Sequence, residues 1–270
     1  NPGVGAGHHE KVVTAGERSK FGISGDQLFQ AGRVADQYGL RIVGINQHIG
    51  SLFMEPEPYL QAAAYLLDQV ARFPDLELVD LGGGFGIPHR KLAGEQRLDL
   101  GVLNKELTRL VRSFTDRHER DLLFKSEPGR YVVAECGVLL GTVHAVKETG
   151  QTVYAGTDLG FNVLARPILY DSWHDILIYR DDRYLDDSET KPVTVVGNIC
   201  ESGDIIAADR PLPDPQANDV VIVLDTGAYG YAMSSNYNNR LRPAEVLIRL
   251  NGEPVLIRRR ETYEDLLRYF

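Results

Sequence analysis

The sequence predicts an α/β fold followed by a mainly β region, and three observations carry that prediction. Between residues 24 and 130, helical apolar periodicity alternates with short apolar runs, the pattern of parallel β/α units. Each apolar run there ends in a turn that bears chemically active side chains. Past residue 131 the pattern changes to β-branched runs separated by turns, as at residues 193–196 and 220–224.

The elements follow in order. Ser24 and Gln27 have capping-box spacing and open a helix whose Leu28, Ala31, Ala35 and Tyr38 share one face. A strand over 41–47 follows. A second helix carries Leu60, Ala63, Leu67 and Val70 and leads to a strand over 76–81. A third carries Leu103, Leu107, Leu110 and Phe114 and leads to a strand over 122–126. The polar stretch 180–191 reads as a solvated loop. Residues 245–260 read as a hairpin turning at Asn251-Gly252, a pair suited to a type I′ turn. Thr262 is placed to cap a short last helix ending at Leu267, with Glu264 and Asp265 in its first turn.

Composition bounds the function. With 270 residues, 43% of them hydrophobic, the chain has material for one large core or two ordinary ones, which disfavours disorder. A formal charge of -9 argues against nucleic acid or an anionic membrane as partner, while leaving room for a local basic pocket. No apolar run approaches the roughly 18 residues that would span a bilayer, and no charged-then-apolar leader opens the chain. Cys136 and Cys200 have no close Cys or His at ligand spacing, so neither a disulfide framework nor a zinc site is expected. That usage points to a reducing, cytoplasmic setting. His8, His9, His89, His118, His144 and His174 share no ligand spacing either, and no metal is expected. The opening Asn1-Pro2-Gly3, without an initiator Met, reads as cut from something longer.

Several turns carry two readings each. Gly82-Gly83-Gly84-Phe85-Gly86 lets backbone N–H groups approach an anion, or is simply a tight strand-to-loop turn. Its compressed spacing, followed by Ile87-Pro88, disfavours a Rossmann fingerprint. Glu127-Pro128-Gly129-Arg130 sets a carboxylate and a guanidinium at a strand end, to serve two ends of one ligand or to pair with each other. His48, beside Gly50 and Ser51, can stack on a flat ring, or be structural. Cys200-Glu201-Ser202-Gly203-Asp204 offers a thiol as proton donor, against the ordinary reading of an inert small hydrophobe, which is the one given to Cys136. Arg166-Pro167 with Tyr170 is a carboxylate grip or a surface ion pair. Tyr229 and Tyr231 on glycine-permitted turns, and the run Ser234-Ser235-Asn236-Tyr237-Asn238, bind a ligand or fill an interface. His174, beside the single Trp173, reads as packing or interface.

Taken in order, Asn1-Pro2-Gly3-Val4-Gly5, Ser19-Lys20-Phe21-Gly22, His48-Ile49-Gly50-Ser51, Gly82 to Gly86, Glu127 to Arg130, Arg166-Pro167 to Tyr170, Cys200 to Asp204 and Gly227-Ala228-Tyr229 resemble the fold-type III pyridoxal-phosphate decarboxylases. Cys-Glu in place of Cys-Asp, together with Arg166 and Tyr170, resembles the diaminopimelate decarboxylase branch. The resemblance implies the C-terminal half of a (β/α)8 barrel over residues 1–135 and a mainly antiparallel β-domain over 136–270. It implies decarboxylation of meso-2,6-diaminopimelate to L-lysine, by a homodimer with shared active sites. The alternatives are another amino acid or carboxylated polyamine as substrate, or a catalytically silent regulatory homologue.

Carried onto this chain, the resemblance has Gly84, Gly129 and Arg130 holding the phosphate of pyridoxal phosphate, with Ser51 and Tyr229, and Gly83 among the cofactor-binding residues. Glu127 engages the pyridine nitrogen and His48 stacks on the ring. Arg130, Arg166, Tyr170, Glu201 and Tyr229 bind substrate, and Cys200, from the other subunit, donates a proton. Members of the family carry a Schiff-base lysine in an early Ala-Val-Lys-Ala-like segment that has no match here, and Lys20 falls in a later run. The lysine is therefore expected outside these residues, and this stretch alone is expected to be inactive.

Overall fold

Gln27 accepts the Ser24 backbone N–H through its side-chain oxygen at 3.2 Å, so the capping box that opens helix α1 (Gly25–Gln37) forms as the spacing predicts. The computed structural model describes residues 1–186 and 189–270, and these divide into two compact units, Asn1–Val133 and Ala134–Phe270. The apolar face of α1 reaches only to the buried Ala35. Tyr38 is the C-cap and lies 72% exposed, because the helix ends before it can turn inward.

The first unit alternates strand and helix. Strand β1 (Gly44–Asn46) is followed by α2 (Glu57–Val70), β2 (Leu78–Gly83), α3 (Leu100–His118) and β3 (Leu123–Glu127). The strands form a parallel sheet in the order β1-β2-β3, with Gly44 opposite Leu78 and Leu78 opposite Leu123. β1 is shorter than the expected 41–47 because its ladder with β2 covers only three residues. β2 runs later than expected, into the glycines, because Gly83 still pairs with Glu127.

Helix α2 explains where the core sits. Tyr59, Ala62, Ala63, Leu66, Leu67 and Val70 recur at helical spacing and are all buried, packing with Ile49, Phe53, Val79 and Leu81. Each large apolar side chain so buried contributes roughly 1.5–3 kcal/mol. Arg120, just past α3, closes the end of α2 by donating to the carbonyls of Val70 at 2.8 Å, Leu76 at 2.9 Å and Pro74 at 3.2 Å. The turn expected at residues 127–130 becomes a short helix α4 (Gly129–Val133), opened when Val132 N–H bonds the Pro128 carbonyl at 3.1 Å.

The second unit is built on a seven-stranded sheet. Its elements are β4 (Leu139–Thr149), β5 (Thr152–Thr157), α5 (Arg166–Tyr170), β6 (Ile176–Arg180), β7 (Arg183–Tyr184), β8 (Thr190–Val196), β9 (Ile205–Pro213) and β10 (Val220–Val223). The order β7-β6-β10-β4-β5-β8-β9 is antiparallel except for the parallel pair β5 and β8. Val143, Ala155, Ile178, Val193, Val195, Val221 and Val223 alternate inward and make its core. Arg180 grips the buried Asp219 with two bonds, at 2.7 and 2.8 Å.

Two loop expectations change. The stretch read as a loop from residue 180 begins instead with a β6–β7 hairpin, whose turn residues Asp181 and Asp182 both hold positive φ. That is the two-residue geometry that matches strand twist, and aspartate tolerates it. The last part of the same stretch opens β8, and residues 187–188 lie outside the described residues. Conversely, the hairpin of β11 (Glu245–Ile248) and β12 (Pro254–Arg258) does not turn in type I′ geometry. Only Gly252, at φ +85, takes the left-handed conformation; Arg249 accepts its N–H at 2.8 Å, giving a longer turn. Helix α6 (Tyr263–Leu267) is capped as expected, Asp265 accepting the Thr262 N–H at 2.8 Å. No helix among the described residues is long and apolar enough to cross a membrane.

Candidate active site

Parallel strands all end on the same side of their sheet, so β1, β2 and β3 deliver their C-terminal residues to one edge. His48 follows β1, Gly83 closes β2, and Glu127 closes β3. His48 Nδ1 lies 3.4 Å from Glu127 Oε2 and accepts the Gly83 N–H at 3.3 Å. Gly83 and Glu127 are register partners so close that a Cβ on Gly83 would collide with the Glu127 carbonyl. Gly84, at φ +97, lies against the Gly50 carbonyl in the same way. Packing against neighbouring backbone therefore accounts for these two glycines, whatever else they hold.

Ser51 and Arg130 join the group. The Arg130 guanidinium donates to Ser51 Oγ at 2.9 Å, and Arg130 is 6% exposed. Between Glu127 and Arg130, Gly129 opens α4, and a Cβ built on it would meet nothing within 4 Å. Thus His48, Ser51, Gly83, Gly84, Glu127, Gly129 and Arg130 all gather at one strand edge. Two further residues organise it that the sequence reading passed over. Asp80 accepts the Gly82 N–H at 2.9 Å, the local side-chain-to-backbone bond that an aspartate two residues ahead of a turn glycine can signal. Tyr59, fully buried and stacked on Phe53, sends its hydroxyl to the Gly82 carbonyl at 3.4 Å. Burial, then the negative charges of Asp80 and Glu127, push that phenol well above its ordinary pKa, so it stays a donor. Nothing in the sequence marks Tyr59 apart from any core tyrosine.

The second unit holds the remaining candidates in two places. The Arg166 guanidinium lies 5.0 Å from the ring centres of both Tyr170 and Tyr229. Arg166 is 4% exposed, and burial pulls its pKa below the usual guanidinium value, with both tyrosines opposing the shift. Tyr229 is a non-glycine residue at φ +64, an uncommon conformation that aims it at the arginine. Cys200 and Glu201 are not in this group. They occupy the exposed loop between β8 and β9, where Cys200 lines a separate cavity of about 580 Å³ with Asn198, Asn238, Asn239, Arg240 and Tyr263.

Other candidates resolve more simply. His174 is 1% exposed and bonds the Leu224 carbonyl at 2.8 Å, a packing role. Cys136 is exposed rather than a buried small hydrophobe. Tyr237 packs its ring on Phe161. Lys20 is exposed and lies over the Phe21 ring. Among the described residues, no three His, Cys, Asp or Glu side chains cluster as metal ligands.

The donor set at the strand edge suits a flat, phosphate-bearing cofactor. A buried guanidinium, a hydroxyl and open space above a glycine suit the anion, and an imidazole with a carboxylate suits a heteroaromatic ring. Comparison with known proteins gives the same direction. The family of pyridoxal-dependent decarboxylases, through its C-terminal sheet domain, matches residues 64–227. A diaminopimelate decarboxylase of Methanothermobacter thermautotrophicus is 42% identical over 274 residues, covering 99% of this chain and 62% of that protein. A crystal structure of a diaminopimelate decarboxylase superposes with a TM-score of 0.90 at 37% identity, covering 100% of this chain and 65% of that one. The diaminopimelate decarboxylase of Helicobacter pylori complexed with L-lysine gives 0.87 at 30% identity, with the same 100% and 65% coverage. The chain thus spans a little under two thirds of the length of these relatives. Since the family match runs through more than half of the residues, the chain belongs to the pyridoxal-dependent decarboxylases.

Proposed function

We propose that this chain is part of an enzyme that decarboxylates meso-2,6-diaminopimelate to L-lysine, using pyridoxal phosphate. The observation that carries the reading is the His48–Glu127 pair standing at the same strand edge as the Arg130–Ser51 pair. The names of the relatives, and the lysine in one of their structures, support the substrate. In this reading residues 1–135 are the second half of a (β/α)8 barrel and 136–270 its C-terminal β-domain. The protein works in the cytoplasm as a homodimer with shared active sites.

When bound, pyridoxal phosphate supplies an electron sink for the pair released as carbon dioxide leaves. Arg130, Ser51 and the backbone at Gly84 and Gly129 would hold its phosphate, with help from Tyr229, while Gly83, its N–H given to His48, would set the imidazole beside the cofactor. His48 stacks on the ring, and the Glu127 carboxylate keeps a proton on the pyridine nitrogen, which keeps the sink cationic. Arg166, with Tyr170, takes the distal carboxylate of the substrate, and Glu201 its distal ammonium. Arg130 and Tyr229 are proposed as substrate contacts as well. Cys200 of the other subunit delivers a proton to the carbon that loses its carboxylate.

The test is a substrate panel for the intact protein with pyridoxal phosphate. Carbon dioxide release is expected from meso-diaminopimelate and not from lysine, ornithine or arginine, which lack the distal carboxylate. Equal turnover of those three would overturn the substrate assignment.

A further inference from the structure

Cys200 lies on a loop whose shape is set by a buried carboxylate. Asp204 is 4% exposed, and its two oxygens face two different segments. Oδ2 accepts the N–H of Ile199, the residue just before Cys200, at 2.7 Å, and Oδ1 accepts the N–H of Phe161 at 2.6 Å. The Asp204 backbone closes the same loop, its carbonyl accepting from Gly197 at 3.0 Å and its N–H donating to Glu201 at 3.0 Å. Both side-chain oxygens meet donors, a demand that a carboxylate satisfies and an amide, with one oxygen, does not.

The arrangement is costly for a loop that needs only to be stable. Burial pushes the Asp204 carboxyl above the usual carboxylate range, and the Ile199 and Phe161 N–H groups and the Arg240 charge oppose that rise without cancelling it. Arg240 is also in contact with the loop directly. It donates to the Asn198 carbonyl at 2.9 Å, two residues before Cys200, and lines the same cavity as the thiol. Arg240 arrives there from a turn in which Asn238 and Asn239 hold φ of +54 and +56. Such adjacent left-handed residues persist where surrounding contacts fix them.

We propose that Asp204 and Arg240 are positioning residues for Cys200, clamping the peptide ahead of it from two sides so that the thiol is presented at one place. The proposal rests on the reading of Cys200 as the proton donor. Asp204 acts through the Ile199 amide, Arg240 through the Asn198 carbonyl, and neither touches the substrate.

The test uses the intact protein loaded with pyridoxal phosphate, in Asp204→Asn, Arg240→Met and Cys200→Ser variants and the two doubles with Cys200→Ser. Each positioning variant is expected to lower kcat by between about tenfold and about 100-fold, the scale of a small misplacement, with little change in KM. Added to Cys200→Ser, neither should lower kcat further, because the misplaced group is already gone. Amide exchange at Ile199 should quicken in Asp204→Asn. Losses that multiply in the doubles, or unchanged kcat and exchange in the single variants, would overturn the positioning role. Wild-type kcat in Cys200→Ser overturns it by a different route, since the donor reading itself then fails. Arg240 is exposed, so Arg240→Met keeps the test open if Asp204→Asn does not fold.

Discussion

Glu127 Oε2 stands 3.4 Å from His48 Nδ1, the same nitrogen that receives the Gly83 N–H at 3.3 Å. As an acceptor from Gly83, Nδ1 carries a lone pair; as a donor to Glu127, it must carry a proton. It can do only one at a time. With Nδ1 engaged by Gly83, the acceptor-only carboxylate of Glu127 has capacity for another N–H, and in the proposed function a ring nitrogen provides it.

Glu127→Gln should therefore leave the strand edge intact and remove the charge that keeps that ring nitrogen protonated. A fall in kcat of about 100-fold or more is expected, the lower end of what positioned proton-transfer groups contribute. Steady-state kinetics on diaminopimelate, with the cofactor absorbance recorded alongside, checks this. A variant with near-normal kcat would remove Glu127 from the chemistry.

Arg166 is buried between two tyrosine rings, so its fork is held in one orientation. Arg166→Lys keeps the positive charge and loses the planar fork. A loss of about 1.5–3 kcal/mol, typical of a hydrogen bond to a charged group, would raise KM for diaminopimelate by roughly tenfold to 150-fold. Inhibition by lysine should weaken alongside, because the product has lost the reacting carboxylate and keeps the distal one. An unchanged KM would place the substrate carboxylate elsewhere.

Much of this was legible in the sequence because its logic is local. Apolar residues at helical spacing located α2 and α3, and each strand-end turn announced its own chemistry. What stayed hidden depends on partners far along the chain. β1 is as short as its ladder with β2 allows, and no propensity along residues 41–47 encodes that. Asp181-Asp182, read only as part of a loop, takes the paired positive-φ geometry expected at Asn251-Gly252, since φ at a polar pair follows from how the flanking strands meet. Tyr59 reads as one more apolar position on α2 until its hydroxyl is seen on Gly82. The gathering of His48, Ser51, Glu127 and Arg130 was legible once the strands were read as parallel.

Asp219 offers a stability test away from the site. It is 1% exposed, is bound by Arg180 through two oxygens and also accepts the Gln216 N–H at 2.7 Å. Arg180→Met leaves that carboxylate buried without its cation, at a cost of about 3–5 kcal/mol. Thermal or denaturant unfolding should show it, and a loss below about 1 kcal/mol, the scale of an exposed pair, would contradict it.

The C-terminal segment should respond to acid. Two bonds from Arg259 hold the Asp265 carboxyl well below the usual range. Burial tends to raise the pKa of Glu261, but the hydrogen bonds from Arg242 and Asn236 together bring it below normal. Both folded values are depressed, so their stabilisation is present above the ordinary carboxylate pKa of about 4 and is lost as pH falls below it. Amide protection factors across α6, taken relative to the intrinsic exchange rate at each pH, should fall below about pH 4 and stay flat above it. Arg259→Met should lower that protection already at neutral pH and shrink the part lost on acidification; an acid response unchanged by that substitution would contradict the assignment.

The most direct test of the central claim is the product balance from carboxyl-labelled meso-diaminopimelate. The intact protein, given pyridoxal phosphate, should release one carbon dioxide for each lysine formed, and removal of the cofactor should abolish both. Folded, cofactor-bound protein that forms neither product would contradict the account.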